Sequence, residues 1–156
     1  MDTRWLDEAE RAAWVKLLAV TELLPGVLDT QLRRDSGLTH YEYFVLAVLS
    51  ESPECTLRMT ALAQRTNATL PRLSHVVARL ENRGLVQRLP CPDDGRATNA
   101  TLTDAGWATI VAAAPEHVAN VRRHVFDALS ARQLAQLDDV MTALLRQLDP
   151  NAHMAP

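Results

Sequence analysis

The chain has 156 residues, of which 47 % are hydrophobic and 22 % charged, and its net charge is −3. This composition is ordinary for a globular protein and excludes wholesale disorder. No apolar run reaches the ~18 residues that a membrane-spanning helix needs, and the first residues predict no secretory signal. Two cysteines are too few for a disulfide framework, which fits a reducing cytosol. We therefore expect one cytoplasmic domain, with or without helical extensions.

The charges are distributed unevenly along the chain. Residues 1–51 carry a balance of −4, residues 52–102 a balance of +3 and residues 103–156 a balance of −2. All bases of the middle third are arginines, whose guanidinium groups suit bidentate contacts to phosphate or guanine. A genome rich in G and C would also favour arginine, so the clustering carries more weight than the choice of base. The middle third is thus the candidate region for an anionic partner.

The first third predicts two helices. Apolar side chains recur at spacings of three and four over residues 5–32, as one face of a helix requires. Pro25 should kink or break this helix, and a polar connection should follow it. Thr39 and Glu42 form a capping box for a second, largely buried helix that is expected to run to about Ser50.

The middle third predicts a helix, a turn, a second helix and a two-stranded hairpin. The helices are expected at about 60–66 and 70–83, with Gly84 as a C-terminal cap. Two strands, 85–89 and 98–102, would flank a polar hairpin tip. This order is the winged helix-turn-helix pattern, in which the second helix enters the major groove of DNA.

The last third predicts two more helices. Thr103 should cap the first, and Ser130 with Gln133 forms a capping box for the second. The final helix carries an a/d seam about two heptads long. The seam consists of Leu134, Leu137, Met141, Leu144 and Leu148. Such a seam needs a partner surface, which predicts a homodimer; the alternative is that the helices pack only within one chain.

The second helix and the hairpin carry the predicted DNA contacts. If the apolar stripe of that helix faces the core, the opposite face presents polar and basic side chains to DNA. These are Thr69, which would also cap the helix, Arg72, Ser74, His75 and Arg79. The hairpin tip adds Asp94, Gly95 and Arg96, and an arginine there can reach the adjacent minor groove. The alternative is an ordinary solvated helix face.

With these features the chain resembles the MarR family of bacterial transcriptional regulators. The resemblance covers about residues 10–148 and rests on three segments, residues 79–86, 94–97 and 102–106. It implies a mainly α-helical fold with a small β-wing. It also implies a homodimer in which the first, fifth and sixth helices pair, and an aspartate that orients the wing arginine toward DNA.

The resemblance divides the chain into three parts. Residues 1–38 and 103–150 would form a helical dimerisation region, and residues 39–102 a winged helix-turn-helix DNA-binding domain. Residues 151–156 would be a flexible tail. Relatives commonly bind phenolic or anionic aromatic molecules in a cleft between the dimerisation region and the DNA-binding domain, which implies a small aromatic or anionic effector. The residues expected to line that cleft are Trp14, Tyr41, Phe44 and Trp107, for which ordinary core packing is the alternative.

The histidines and cysteines do not predict a metal site or a redox site. His117 and His124 lie seven residues apart, and no His/Cys pair has the close spacing of a zinc site. Cys55 and Cys91 are interpreted as bystander thiols rather than redox sensors. No phosphate loop, metalloprotease helix or nucleophile elbow is found. Neither an enzyme nor a cofactor is predicted.

The sequence therefore predicts a sequence-specific regulator of transcription, expected to be a repressor, in the cytoplasm of a bacterium at its nucleoid. As a homodimer on double-stranded DNA it would place two recognition helices roughly 34 Å apart on a pseudo-palindromic operator. The alternative is a winged-helix protein-interaction module without DNA binding. An exposed apolar patch on the recognition helix would favour that alternative, but the sequence has arginines there.

Overall fold

The computed structural model describes residues 3–154, and these form six α-helices and a three-stranded sheet. The helices are α1 (Glu8–Ser36), α2 (His40–Ser50), α3 (Met59–Arg65), α4 (Leu70–Asn82), α5 (Asp104–His124) and α6 (Ala131–Leu148). The strands are β1 (Thr56–Arg58), β2 (Val86–Cys91) and β3 (Asp94–Leu102). The prediction of a mainly helical chain with a small β-wing is confirmed. Within residues 3–154, no helix is long and apolar enough to cross a membrane.

Side-chain caps determine where several helices begin. The Thr39 hydroxyl accepts the Glu42 N–H at 3.0 Å, and the Glu42 carboxylate accepts the Thr39 N–H at 2.9 Å. Ser130 and Gln133 form the same reciprocal pair at the start of α6, and Thr103 caps α5. Each of these predicted caps is confirmed, and such a cap typically contributes about 1 kcal/mol.

Of the kink or break predicted at Pro25, the break does not occur. Helix α1 continues through Pro25 and ends at Ser36, so the expected polar connection is its last turn. The helix stops where Gly37 adopts a left-handed conformation, with φ of 64°, and donates its N–H to the Arg33 carbonyl at 3.2 Å. A residue with a Cβ is strained in that conformation, whereas glycine is not. The stop signal is therefore the glycine and not the proline.

The core lies where α2, α3, α4 and the sheet meet, with the end of α1 and part of α5 packed against them. The predicted stripe of α4 faces inward: its members are Leu73, Val76, Val77 and Leu80, all buried. Leu46 of α2 and Leu62 of α3 are also fully buried. Each such side chain contributes about 1.5–3 kcal/mol relative to an exposed one. One chain therefore completes the core of this region.

The three strands pair antiparallel in the order β1-β3-β2, and the β2–β3 hairpin is the wing. The hairpin tip predicted between the strands at residues 90–97 is shorter than expected, since the strands continue until only residues 92 and 93 connect them. Pro90 pairs with Thr98 and Cys91 with Asp94, so residues 95–97 bulge from β3 without partners on β2. This bulge carries extra residues within the ladder, and Arg96 lies in it with its side chain exposed.

The helices at the chain ends bury fewer side chains than the elements of this core. Helix α6 buries none of its side chains, and α1 buries only Leu28, Gln31 and Leu32, near its C-terminal end. After α6, the Asp149 carboxylate accepts the N–H groups of His153 and Met154 at 3.0 and 2.8 Å. Part of the segment predicted to be a flexible tail thus has a local turn. Residues 1, 2, 155 and 156 lie outside the described part.

Candidate nucleic-acid interface

The start of α4 presents a polar face. Thr69 caps the helix through its hydroxyl, which accepts the Arg72 N–H at 3.4 Å. Thr69, Arg72 and His75 are exposed and Ser74 is half-buried, on the side away from the buried stripe. The first turn of a helix also has free N–H groups and the positive end of its dipole. This end of α4 is suited to contact base edges and phosphates.

Tyr41 supports one of these side chains. The Arg72 guanidinium lies 4.7 Å from the centroid of the Tyr41 ring, a cation–π contact of about 0.5–1 kcal/mol at an exposed site. The Tyr41 hydroxyl is in turn 2.9 Å from the Thr66 hydroxyl, in the turn before α4. The contact holds Arg72 beside the start of the helix. Sequence reasoning placed Tyr41 in an effector cleft and missed this role, because α2 and α4 are distant in the chain.

Arg79 has an ionic partner. Its Nη2 lies 3.2 Å from Oε1 of Glu42, whose side chain is 7 % exposed, while the Arg79 side chain is 48 % exposed. Sequence reasoning grouped Arg79 with the DNA-contacting residues. In the structure its guanidinium lies at the start of α2, where a buried carboxylate offsets its charge, and its contact with DNA stays a prediction.

The wing aspartate acts through the backbone. Asp94 Oδ1 accepts the N–H of Arg96 at 3.1 Å, which holds the bulge rather than the guanidinium. Its Oδ2 lies 4.0 Å from Nη1 of Arg58 in β1. Arg58 also donates to the Cys91 sulfur at 3.5 Å. Sequence reasoning did not select Arg58, whose only signal is its place in the basic middle third.

A groove of about 260 Å³ runs between α4 and the wing. Three arginines line it together with Ser74 of α4: Arg58, Arg88 and Arg96. Arg88 is tied to α4 by Glu81, whose Oε2 accepts from its Nε at 2.9 Å. Cations gathered in one concave surface attract an anionic backbone and focus the field there. Three of the arginines of the basic middle third therefore share one surface with Leu70 and Ser74, in the first half of α4.

Cys91 lies beneath this surface. The backbone N–H of Asp93 and the Arg58 guanidinium lower the pKa of its thiol, although burial opposes them. The side chain is 6 % exposed, and Cys55 is half-buried. A reactive cysteine needs both a stabilised thiolate and access, and Cys91 has only the first.

Two histidines pack together at the α2–α5 contact. The His117 ring centroid lies 4.3 Å from that of Tyr43 and 6.4 Å from that of His40. Burial lowers the pKa of both imidazoles. The Nδ1 of His124 lies 2.9 Å from the carbonyl oxygen of Asn120. Among residues 3–154, no group of three or more His, Cys, Asp or Glu side chains is arranged to hold a metal ion.

The remaining predicted cleft residues lie in different surroundings. Phe44 is half-buried against the core, whereas Trp14 of α1 and Trp107 of α5 are 51 % and 49 % exposed. None of these three, nor Tyr41, lines the groove between α4 and the wing. Their role toward an effector stays a prediction.

The helical ends expose a broad apolar surface. In the predicted seam of α6, Leu134 is 45 %, Leu144 is 37 % and Leu148 is 79 % exposed. Large apolar side chains of α1 and α5 are also exposed, among them Trp14, Val15, Leu18, Leu23, Val111 and Val118. Exposed apolar surface of this extent commonly marks an interface.

The chain is similar in sequence and structure to known transcriptional regulators. A family model described as the MarR family matches residues 36–97. The chain is similar to the crystal structure of Sco3205, a MarR family transcriptional regulator from Streptomyces coelicolor in complex with DNA. The identity is 43 %, the match covers 96 % of this chain and 93 % of that one, and the TM-score is 0.91. AbsC, a MarR family regulator from the same organism, is 41 % identical over 94 % of this chain and 98 % of its own, with a TM-score of 0.88.

Curated relatives match over shorter stretches. The HTH-type transcriptional repressor IacR of Pseudomonas putida is 27 % identical over 109 residues, which are 67 % of this chain and 61 % of IacR. The transcriptional regulator HosA of Escherichia coli O111:H- is 35 % identical over 78 residues, 50 % of this chain and 56 % of HosA. The chain thus matches less than two thirds of the length of either relative.

Proposed function

Because this chain belongs to the MarR family of transcriptional regulators, we propose that it binds a pseudo-palindromic DNA operator as a homodimer and represses transcription. The observation that carries the proposal is the groove lined by Arg58, Arg88 and Arg96 between α4 and the wing. The related Sco3205 was crystallised in complex with DNA. In this proposal residues 39–102 form the DNA-binding domain.

In this proposal the exposed end of α4 and the wing contact different parts of the DNA. Arg72 and His75 lie on the exposed face of α4 and reach the edges of bases in the major groove, with Thr69 and Ser74 beside them. Arg96, exposed in the wing bulge, enters the adjacent minor groove or binds its phosphates. Base contacts specify the sequence, whereas phosphate contacts provide salt-dependent affinity.

The homodimer is supported by the apolar surface of the helical ends. Residues 1–38 and 103–150 form the dimerisation region in this proposal. The seam of α6 packs against a second copy of the chain, because no side chain of that helix is buried within one chain. Two chains related by a twofold axis read two half-sites about one helical turn apart.

We further propose that the bound protein represses transcription and that a small ligand releases it from the operator. IacR is named a repressor, and repression by blocking a promoter needs only tight DNA binding. A small aromatic or anionic ligand would release the operator, with Trp14 and Trp107 as candidate contacts. Melting temperatures measured with a panel of benzoic and cinnamic acids test this part. A rise in Tm together with DNA release is expected, and no change with any acid would contradict it.

A protein-interaction module without DNA binding is less well supported. Such a module would expose an apolar patch on α4. Only Leu70, at 44 %, is a large exposed apolar side chain on this helix. Its other exposed positions are mostly polar or basic.

Selection of random-sequence DNA duplexes by the purified full chain tests the proposed function. We expect enrichment of an inverted repeat whose binding weakens steeply with added salt. Recovery of unenriched sequences at low salt, and of none at moderate salt, would contradict sequence-specific regulation.

A further inference from the structure

One buried carboxylate joins three elements at the corner where α1 ends and α2 begins. Oε2 of Glu42 accepts the Thr39 N–H at 2.9 Å, and Oε1 lies 3.2 Å from Nη2 of Arg79. Nη1 of Arg83 lies 3.8 Å from Oε2 and donates to the Gly37 carbonyl at 3.1 Å. The end of α1, the start of α2 and the second half of α4 thus meet at one side chain.

The burial of the three charges is unequal. The Glu42 side chain is 7 % exposed, whereas those of Arg79 and Arg83 are 48 % and 41 % exposed. A buried carboxylate is costly unless cations and donors surround it, but a half-exposed guanidinium keeps much of its hydration. The charge of the carboxylate is therefore offset only while α4 stays in this orientation against α2. When the contact opens, the two arginines therefore lose less stabilising free energy than Glu42 does.

We infer that Glu42 is a positioning residue for the recognition helix. Through Arg79 and Arg83 it holds the second half of α4 against the corner, so that the first half, with Arg72 and His75, meets the DNA at a defined angle. Arg79 then acts through Glu42 and not as a base contact. The inference rests on the proposed function.

The corner also connects α4 to α1. Arg83 bonds the carbonyl of Gly37, the left-handed residue that ends α1, and the rest of α1 leads into the apolar surface assigned to the dimer. The carboxylate therefore sets the recognition helix relative to the dimerisation region. In a dimer, this relation determines the distance between the two recognition helices, which must match the spacing of the half-sites.

Glu42→Gln tests the inference in the full-length chain. The amide keeps the shape and the acceptor for the Thr39 N–H but removes the charge that holds both arginines. The probes are a duplex selected by the wild-type chain and a scrambled duplex of the same composition. We expect affinity for the selected duplex to fall about tenfold, while affinity for the scrambled duplex stays equal, because phosphate contacts do not need one angle of the recognition helix. Glu51→Gln, at the exposed end of the same helix, is the matched control and leaves both affinities unchanged.

The ratio of the two affinities separates positioning from simple destabilisation. A partly unfolded variant would lose both affinities by the same factor, and its ratio would not change. If Glu42→Gln does not fold, Arg83→Gln gives the same test, since it removes the contact to Gly37, and the ratio should again fall. An unchanged ratio in a folded variant of either residue would overturn the inference.

A double-mutant cycle tests the role of Arg79. If Arg79 acts through Glu42, then adding Arg79→Gln to Glu42→Gln causes little further loss of the selected duplex. If Arg79 contacts DNA directly, the second substitution costs as much as it does in the wild-type chain, and this result would overturn the inference. A wild-type chain that selects no duplex would instead overturn the proposed function itself.

Discussion

The helix-turn-helix region and the two end helices bury their apolar side chains to very different extents. Leu46, Leu62 and Leu73 are fully buried within one chain, whereas α6 buries none of its side chains. Burial of apolar surface contributes about 25 cal/mol per Å², so the first region gains most of its stabilisation within one chain, whereas α6 gains little. The difference supports the proposed division of tasks, in which the first region would present DNA-binding side chains on a core completed within one chain and the second would hold a partner chain.

The largest expected effect comes from introducing charge into the seam of α6, where Leu144 is exposed and Leu137 is half-buried. In Leu137→Glu/Leu144→Glu, two chains can no longer pair, because the carboxylates would be buried without partners. We expect a monomeric mass by light scattering and a loss of affinity for the selected duplex of about 100-fold or more, as two linked half-site contacts become one. Thr142→Glu, at an exposed position of the same helix outside the seam, should remain dimeric. A dimeric double variant would assign the interface elsewhere.

Gly106→Ala should break the contact between α5 and the helix-turn-helix region. An added Cβ would meet the Leu85 carbonyl oxygen and lie 2.6 Å from Cδ1 of Leu102. We expect overpacking to lower the free energy of unfolding by about 3 kcal/mol, measured by urea denaturation. Gly95→Ala is the control, since nothing lies within 4 Å of its added Cβ. Equal stability of the two variants would contradict the close packing of α5.

Arg96→Ala should weaken binding to all duplexes. The substitution removes one exposed cation from the groove while the core stays intact, so we expect an affinity loss of about tenfold and a salt slope smaller by about 1. Arg132→Ala, in α6, is the matched control with the same loss of charge. His75→Ala should instead change sequence preference. An unchanged slope in Arg96→Ala would show that the wing does not contact DNA.

The smallest expected effect is a pH dependence of stability. Burial lowers the pKa of His40 and of His117 from the ordinary value of 6.5; the nearby Asp29 opposes the shift of His40, and His40 adds to that of His117. The unfolded chain therefore binds protons at a higher pH than the folded chain. This contribution to stability is complete above pH 6.5 and is lost as the pH falls below it.

The urea midpoint at about pH 7.5 and about pH 5.5, on either side of the ordinary imidazole pKa, measures this dependence. His117→Gln should reduce the loss of stability at the lower pH. The exposed His153 provides the control, since His153→Gln should leave the dependence unchanged. Equal pH dependence in all three chains would contradict the shift at His117.

Local signals in the sequence predicted the elements and the face of α4. Capping boxes such as Thr39 with Glu42 and the apolar stripe of α4 depend on neighbours within one or two turns, so periodicity and spacing reveal them. The predicted break at Pro25 failed because one proline costs a helix a hydrogen bond and a steric adjustment, which a long helix tolerates. The wing was longer than predicted because pairing with the partner strand overrides local turn preference.

The part of the candidate site that the sequence did not predict consists of contacts between segments distant in the chain. Pairing of Arg79 with Glu42, stacking of Arg72 on Tyr41 and the approach of Arg58 to Asp94 depend on how α2, α4 and the sheet pack. Spacing along the chain carries no signal for such contacts. The sequence therefore predicts basic residues of the candidate interface but not which of them are already paired.

The mass of the complex with the selected duplex, measured by native mass spectrometry, tests the central claim most directly. Two chains of 17.3 kDa on each duplex, with half of an inverted repeat for each, are the predicted result. One chain bound per duplex, with the apolar surface of α6 left uncovered, would contradict the division of the molecule into a DNA-binding region and a pairing region.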